Sequence, residues 1–240
     1  MQKTRNLTTI GFDADDTLWQ NEAFFRMTQD RFAALLADFA EPDHLEDRLL
    51  AAERRNLGHY GYGVKGFVLS MIETAIEVTE GRVPAQVIAE VMAAGRDMLQ
   101  HPIELLPYAA EAVMALAKDY RVILITKGDL LDQERKLAQS GLGDMFHGIE
   151  IVSDKTASVY ETLFHRHGDG PHCGMMIGNS LKSDVLPMLA AGGFGVHVPH
   201  GLTWALEAAD PPVGHDRFHA LADLGALPDL VGHIAAKHNM

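Results

Sequence analysis

Three carboxylates and a hydroxyl stand together in the segment Asp13-Ala14-Asp15-Asp16-Thr17, directly after the apolar run Ile10-Gly11-Phe12. Carboxylates this close repel one another unless a positive charge lies among them, and oxygen ligands of this kind suit a hard divalent cation. Asp13 and Asp15 are two residues apart, so in an extended segment their side chains lean the same way. One could attack an electrophilic centre while the other handles a proton.

Three later segments place polar groups beside predicted strand ends or helix starts. Thr126 ends an apolar run, Lys155 precedes a predicted helix, and Asn179 and Asp184 follow another apolar run. The Thr126 hydroxyl and the main-chain N–H groups after it could bind an oxyanion such as phosphate. A structural interpretation stays open for each segment. Thr126 could merely cap a helix, Lys155 could be a solvated lysine, and Asn179 with Asp184 could cap a helix and complement its dipole.

Apolar runs alternate with helical periodicity from about residue 101 onward, and this alternation predicts a doubly wound parallel sheet. The predicted strands are residues 8–13, 122–125, 149–152, 175–177 and 194–198, with a peripheral strand near 217–218. The carboxylate segment therefore follows the first strand of this sheet, and the carboxyl ends of such strands are where open α/β sheets hold their ligands.

Residues 20–100 show only helical patterns. Helices are predicted over about 21–39, 43–56, 65–78 and 84–99, and the glycine-rich residues 58–63 predict a loop. We therefore expect a helical domain, residues 20–100, inserted into a core made of residues 1–19 and 101–240.

Composition limits the kinds of partner. The 240 residues carry a net charge of -13, which argues against nucleic acid or an anionic membrane as the main partner. Cys173 is the only cysteine, so no internal disulfide can form, and a cytoplasmic protein is expected. No apolar run reaches transmembrane length, and the first nine residues lack the apolar stretch of a signal peptide. A monomer or a homodimer is compatible with these features.

The four polar segments, taken in order, resemble the motifs of the haloacid dehalogenase-like (HAD) hydrolases. Asp-x-Asp-x-Thr at residues 13–17 is similar to the first motif, Thr126 to the second and Lys155 to the third. Gly178-Asn179 with Asp184 resembles the fourth motif, Gly-Asp-x-x-x-x-Asp, except that Asn179 stands where the family has its first Asp. The resemblance implies a Rossmann-like doubly wound parallel sheet core with an inserted all-helical cap domain.

The resemblance also implies an activity, a magnesium-dependent phosphatase that hydrolyses a small phosphorylated metabolite through an aspartyl-phosphate. Asp13 would be the nucleophile, Asp15 would protonate the leaving oxygen and then activate water, and Thr126 and Lys155 would position the phosphoryl oxygens.

Magnesium (Mg2+) would be held by Asp13, the backbone carbonyl of Asp15, Asn179 and Asp184. Because an amide oxygen is a ligand without charge, the replacement of the family's Asp by Asn179 is expected to weaken metal binding.

The expected substrate-binding residues are Thr126, Lys127, Lys155, Tyr62 and Lys65. The last two lie on the predicted loop region 56–65, which we expect to set substrate choice, as a cap domain would. An alternative is that this region only connects two helices and that its tyrosines pack on the helical core. Thr17 is expected to orient Asp15 or to shape the loop, and Asp16 is assigned no role.

Three other functions remain open. The family's dehalogenases lack an acid at the position of Asp15 and use no metal, so the presence of Asp15 favours a phosphatase. A phosphomutase would keep the aspartyl-phosphate away from water. A non-catalytic binding module with a degraded metal site is favoured by the substitution at Asn179.

Overall fold

The structure, a computed structural model, describes residues 7–237. Its six strands are β1 (Thr9–Phe12), β2 (Arg121–Lys127), β3 (Gly148–Val152), β4 (Gly174–Gly178), β5 (Phe194–His197) and β6 (Phe218–Ala220). They form one sheet in the order β3-β2-β1-β4-β5-β6. β1 pairs in parallel with β2 and β4, β4 with β5, and β5 with β6. The predicted Rossmann-like parallel sheet is confirmed.

Nine α-helices occur within the described residues. They are α1 (Glu22–Leu35), α2 (Pro42–Tyr60), α3 (Val64–Val78), α4 (Ala85–Gln100), α5 (Ala109–Leu116), α6 (Leu130–Ser140), α7 (Ala157–His167), α8 (Leu186–Ala190) and α9 (Leu227–Lys237). None of the helices within residues 7–237 has the length and apolar character needed to span a membrane.

The central strands are buried on both faces, which explains why their sequences are continuously apolar. On β2, Val122 and Leu124 belong to one hydrophobic cluster, which includes side chains of α5 and α9. The alternate residues Ile123 and Ile125 belong to a second cluster, which includes Tyr160 of α7. The period of two along a strand sends neighbouring side chains to opposite faces, so one short strand contributes to both halves of the core.

Contacts divide the chain into two compact units. Among the described residues, the first, the sheet unit, comprises residues 7–20, 103–126 and 135–237, and the second, the helical unit, comprises residues 21–102 and 127–134. The sequence pattern contained no sign that residues 127–134 group with the helices α1–α4. The helical unit has its own apolar core, which includes Phe32, Leu49, Phe67, Met71 and Val91.

The prediction of a loop over residues 58–63 is wrong for its first half, because α2 continues through Gly58 to Tyr60. Gly58 is helical, and a Cβ placed there would meet no atom within 4 Å. Gly61 and Gly63 instead have φ angles of 73° and 111°, a conformation that favours glycine, and the chain leaves the helix there. The backbone conformation of Gly61 and Gly63 therefore determines where α2 ends, and the number of glycines in the segment does not.

Candidate active site

The register of the sheet brings the polar segments to one edge. Phe12, the last residue of β1, lies opposite Leu124 of β2 and Ile177 of β4. Asp13 follows directly, so it lies at the carboxyl ends of three adjacent strands. The strand order reverses between β1 and β4, which is the position where doubly wound sheets form ligand crevices.

The ammonium group of Lys155 joins two carboxylates at this edge. Its Nζ lies 2.5 Å from Oδ1 of Asp13 and 2.7 Å from Oδ1 of Asp184. The side chains of Lys155 and Asp184 are each 1% exposed, and that of Asp13 is 9% exposed. The three charges are therefore shielded from water, where an ion pair is far stronger than at a surface and where loss of one partner is costly.

Two buried carboxylates facing one ammonium leave a local excess of negative charge. The pKa of Asp13 is raised from 3.8 to about 7, because burial and the charge of Asp184 raise it by more than Lys155 lowers it. Burial alone would lower the pKa of Lys155, but the charges of Asp13 and Asp184 outweigh burial and raise it. Lys155 therefore stays charged at neutral pH, and an additional cation near Asp13 would favour the ionised carboxylate.

Thr17 contacts a different carboxylate from the one expected. Its hydroxyl donates to Oδ2 of Asp13 at 3.0 Å and accepts from the main-chain N–H of Asn179, also at 3.0 Å. The first of its two expected roles, to orient Asp15, is therefore wrong, and the second, to shape the loop, remains. The Asp15 side chain points to other partners, whereas Thr17 lies between the carboxylate segment and the segment after β4.

The carboxylate of Asp184 occupies the space that a side chain at residue 178 would need. A Cβ on Gly178 would lie 2.1 Å from Oδ2 of Asp184, so only glycine leaves room for this carboxylate. The same oxygen accepts from the main-chain N–H of Ser180 at 3.0 Å. Glycine at this position therefore has a steric reason, independent of any special backbone angle.

The segment after β4 forms a π-helical turn, Leu181–Val185, and continues as α8. Pro187 has no N–H and cannot donate to the carbonyl of Ser183, four residues earlier. The buried hydroxyl of Tyr160 donates to that carbonyl at 2.9 Å instead. This replacement fixes the irregular turn on which Asp184 lies.

A carboxylate from a later segment also holds this turn. Glu207 accepts hydrogen bonds from the hydroxyls of Ser180 and Ser183, both at 2.5 Å. The ammonium of Lys182 donates to the carbonyl of Leu206 at 2.6 Å. Glu207 could not be predicted from the sequence as part of the site, because no apolar strand or motif precedes it.

Asp15 has buried partners that the sequence analysis also missed. Its Oδ1 accepts from Nε1 of Trp19 at 2.7 Å and from Nζ of Lys136 at 2.9 Å, and Lys136 lies 3.2 Å from Oδ2. Trp19 is completely buried, and Lys136 is 7% exposed. The sequence contained one sign of this contact, since Lys136 lies in the buried half of an amphipathic helix and lysine is almost never buried without a partner.

Thr126 is 1% exposed and lies one residue before the end of β2.

Three of the expected substrate-binding residues belong to the helical unit. The ammonium of Lys127 lies 3.7 Å from the ring centroid of Tyr62, a cation–π contact. Lys65 pairs with Asp129 at 3.3 Å, and its own side chain is 58% exposed.

The residues expected to bind magnesium offer oxygen atoms alone. Within residues 7–237, no group of three or more His, Cys, Asp and Glu side chains could hold a metal ion. The expected set differs from such a cluster, since it combines two carboxylates with an amide and a main-chain carbonyl. Oδ1 of Asn179 lies 3.5 Å from the Thr17 hydroxyl that bonds Asp13, so amide and carboxylate oxygens flank one group. These hard donors fit magnesium, with Lys155 already bound to the other oxygen of Asp13.

The family model described as haloacid dehalogenase-like hydrolase matches residues 7–192. A haloacid dehalogenase-like family hydrolase from Xanthomonas campestris is 44% identical over 97% of this chain and 94% of its own, with a TM-score of 0.85. The comparison with curated proteins finds no match.

More distant structures share the fold. A HAD hydrolase from Bacillus subtilis, solved bound to magnesium, has a TM-score of 0.66 at 16% identity, covering 95% of this chain and 100% of its own. A 2-haloacid dehalogenase from Pseudomonas syringae pv. Tomato has a TM-score of 0.61 at 17% identity, covering 95% and 99%. At this level of identity the likeness concerns the fold alone.

Proposed function

Because the chain belongs to the haloacid dehalogenase-like hydrolases, we propose that it is a magnesium-dependent phosphatase that hydrolyses a small phosphorylated metabolite through an aspartyl-phosphate. One observation carries the choice of reaction: a second carboxylate, Asp15, is held two residues after Asp13 by Trp19 and Lys136. An alkoxide leaving group needs a proton, whereas a halide does not. A carboxyl group fixed beside the nucleophile therefore favours hydrolysis of phosphate esters over dehalogenation.

Asp13 is the nucleophile in this proposal. One of its oxygens attacks phosphorus in line with the leaving oxygen, and the bond between phosphorus and that oxygen breaks. Asp13 is buried and bonded to Lys155 and Thr17, so its position is fixed before substrate arrives. This preorganisation lowers the cost of reaching an in-line geometry.

Asp15 moves the protons. It gives a proton to the leaving oxygen as the ester bond breaks, and it then takes a proton from the water that attacks the aspartyl-phosphate. That second attack releases inorganic phosphate and restores the Asp13 carboxylate.

Lys155 and Thr126 bind the phosphoryl oxygens. The raised pKa of Lys155 keeps its ammonium charged, and this charge offsets the repulsion between Asp13 and a phosphate dianion. The Thr126 hydroxyl, at the carboxyl end of β2, donates to a phosphoryl oxygen. Both groups stabilise the charge that spreads over the oxygens in the transition state.

Asp13, the backbone carbonyl of Asp15, Asn179 and Asp184 would hold magnesium. When bound, the ion would supply positive charge that screens the nucleophile from the phosphate. The contact of two carboxylates, Asp13 and Asp184, with the single ammonium of Lys155 supports this assignment, because a further cation would balance their charge.

Tyr62, Lys65 and Lys127 are proposed to bind the part of the substrate that does not react. Their chemistry, two ammonium groups and one aromatic ring, suits an anionic or planar metabolite. We further propose a cytoplasmic enzyme, acting as a monomer or homodimer, since the single cysteine is buried and no nucleic-acid or membrane partner is expected.

The test is hydrolysis of p-nitrophenyl phosphate with magnesium and with EDTA, beside halide release from 2-chloropropionate. Magnesium-dependent release of p-nitrophenol without halide release is expected. Asp13→Asn should abolish turnover while its circular dichroism spectrum stays native. Metal-independent halide release would reverse the assignment to a dehalogenase, and inactivity in both assays would favour a binding module.

A further inference from the structure

The helix α6 buries polar side chains where an ordinary surface helix would bury apolar ones. Asp132, Gln133 and Lys136 are 6%, 4% and 7% exposed. Burial of a lysine costs free energy unless its charge is paired, so the burial of Lys136 requires an acceptor for its ammonium group. The partner of Lys136 at the sheet edge is the carboxylate of Asp15.

The contacts fix the Asp15 carboxylate by two elements. Lys136 Nζ lies 2.9 Å from Oδ1 and 3.2 Å from Oδ2, and the indole N–H of Trp19 donates to Oδ1 at 2.7 Å. Trp19 and Lys136 both bond Oδ1, and Lys136 also lies within hydrogen-bond distance of Oδ2. The ammonium therefore contacts both oxygens of the group that is proposed to move the proton.

We propose that Lys136 is a positioning residue of the reaction, which acts through Asp15 and does not touch the substrate. This inference rests on the proposed phosphatase function. The ammonium holds Asp15 in one orientation and stabilises the carboxylate that forms when the proton of Asp15 passes to the leaving oxygen. The electron pair of the broken phosphorus–oxygen bond goes to that oxygen, Asp13 gains the bond to phosphorus, and Lys136 keeps all its protons throughout.

A purely structural role for Lys136 predicts something different. In that case substitution of Lys136 would lower kcat/KM equally for every substrate, since all of them need the same folded site. If Lys136 acts through the general acid Asp15, its substitution instead lowers kcat/KM most for the esters whose leaving group most needs a proton. Nitrophenolate leaves without one, whereas unsubstituted phenolate gains from protonation.

The experiment measures kcat/KM for a series of substituted phenyl phosphates in wild type, Lys136→Met and Lys136→Arg, with the exposed Lys118→Met as a control for loss of charge. For Lys136→Met we expect a loss of about 100-fold on phenyl phosphate and less than about tenfold on p-nitrophenyl phosphate. Lys136→Arg keeps a cation beside Asp15 and should recover most of the loss. Lys118→Met should match wild type.

In an Asp15→Asn background, adding Lys136→Met should change kcat/KM by less than about twofold, because the group through which it acts is gone. Equal losses on all esters, or full additivity with Asp15→Asn, would overturn the inference. If Lys136→Met does not fold, Lys136→Gln replaces it in the same series.

A second measurement separates the failure of this inference from the failure of the phosphatase function. The same single and double variants are unfolded in urea, which needs no activity. Non-additive unfolding free energies support the Asp15–Lys136 contact, and additive ones overturn it. If wild type hydrolyses no phenyl phosphate while coupling is present, the phosphatase function falls and Lys136 remains a partner of Asp15 alone.

Discussion

The main-chain N–H of Asn179 donates to the hydroxyl of Thr17 at 3.0 Å, which joins two segments 162 residues apart in the chain. The same hydroxyl donates to Asp13 at 3.0 Å. Because a hydroxyl has one hydrogen but two lone pairs, it can serve both groups at once. Thr17 thus fixes the distance between the proposed nucleophile and the proposed amide ligand.

Thr17→Val should weaken both the fold and the reaction. Valine has the shape of threonine but leaves the N–H of Asn179 and one oxygen of Asp13 without this partner, at a cost of about 1–3 kcal/mol for a buried group. Urea unfolding and p-nitrophenyl phosphate turnover would measure the two effects. Thr17→Ser keeps the hydroxyl and serves as the matched control. Wild-type stability in Thr17→Val would contradict the role given to this hydroxyl.

Asn179→Asp should bind magnesium more tightly than wild type. A third carboxylate beside Asp13 and Asp184 adds attraction for a divalent cation, which we expect to improve affinity roughly tenfold, equivalent to about 1.4 kcal/mol. Without metal the same change adds repulsion and should lower the melting temperature. Calorimetric titration with magnesium measures the affinity. Asn179→Ala, which offers no side-chain oxygen, should bind more weakly than wild type, and equal affinities in all three proteins would remove Asn179 from the ligand set.

Gly178→Ala should displace the carboxylate of Asp184. The added methyl would lie 2.1 Å from Oδ2, and Asp184 is too short and too firmly held to move away. Overpacking of this kind costs about 1–3 kcal/mol, and turnover should fall with it. Gly201→Ala is the control, since a Cβ there meets no atom within 4 Å. Equal thermal stability and turnover in the two variants would show that the site tolerates the methyl.

Glu150 should contribute stability that is lost in acid. Burial raises its pKa, but hydrogen bonds from His167 at 2.6 Å and Arg166 at 2.8 Å outweigh burial and lower it below 4.5. A carboxyl with a lowered pKa in the folded state stabilises the protein above its unfolded pKa and stops doing so as pH falls through the folded value.

The free energy of unfolding of wild type and Glu150→Gln, measured in urea, should therefore differ at pH 7 and converge as the pH falls below about 4. A difference that stays constant across this range would show that the pair adds no acid-sensitive stability.

The sheet and its polar edge could be predicted because each depends on local sequence. Continuous apolar runs mark strands buried on both faces, and parallel pairing then places the residues after each strand at one edge. Lys155 could be assigned to the predicted site only from its order in the chain. In the structure its ammonium group contacts Asp13 and Asp184.

Other features depend on contacts that no local pattern contains. Lys136 lies 121 residues from Asp15, and the only sign of their contact is a polar buried face on α6. The π-helical turn before α8 depends on Pro187 together with the Tyr160 hydroxyl, which comes from another helix. The helix through Gly58 was missed because glycine in open space costs a helix only about 1 kcal/mol, which neighbouring turns can absorb.

The extension of α2 to Tyr60 shortens the link to α3 to three residues, Gly61, Tyr62 and Gly63. Both glycines have backbone angles that other residues adopt only under strain, and a Cβ on Gly63 would lie 2.8 Å from Asp129. Position 62 alone is therefore open to exchange without remodelling the backbone. Related proteins with the same three-residue link can therefore differ at one position of it, and we expect them to carry an aromatic, aliphatic or charged residue there.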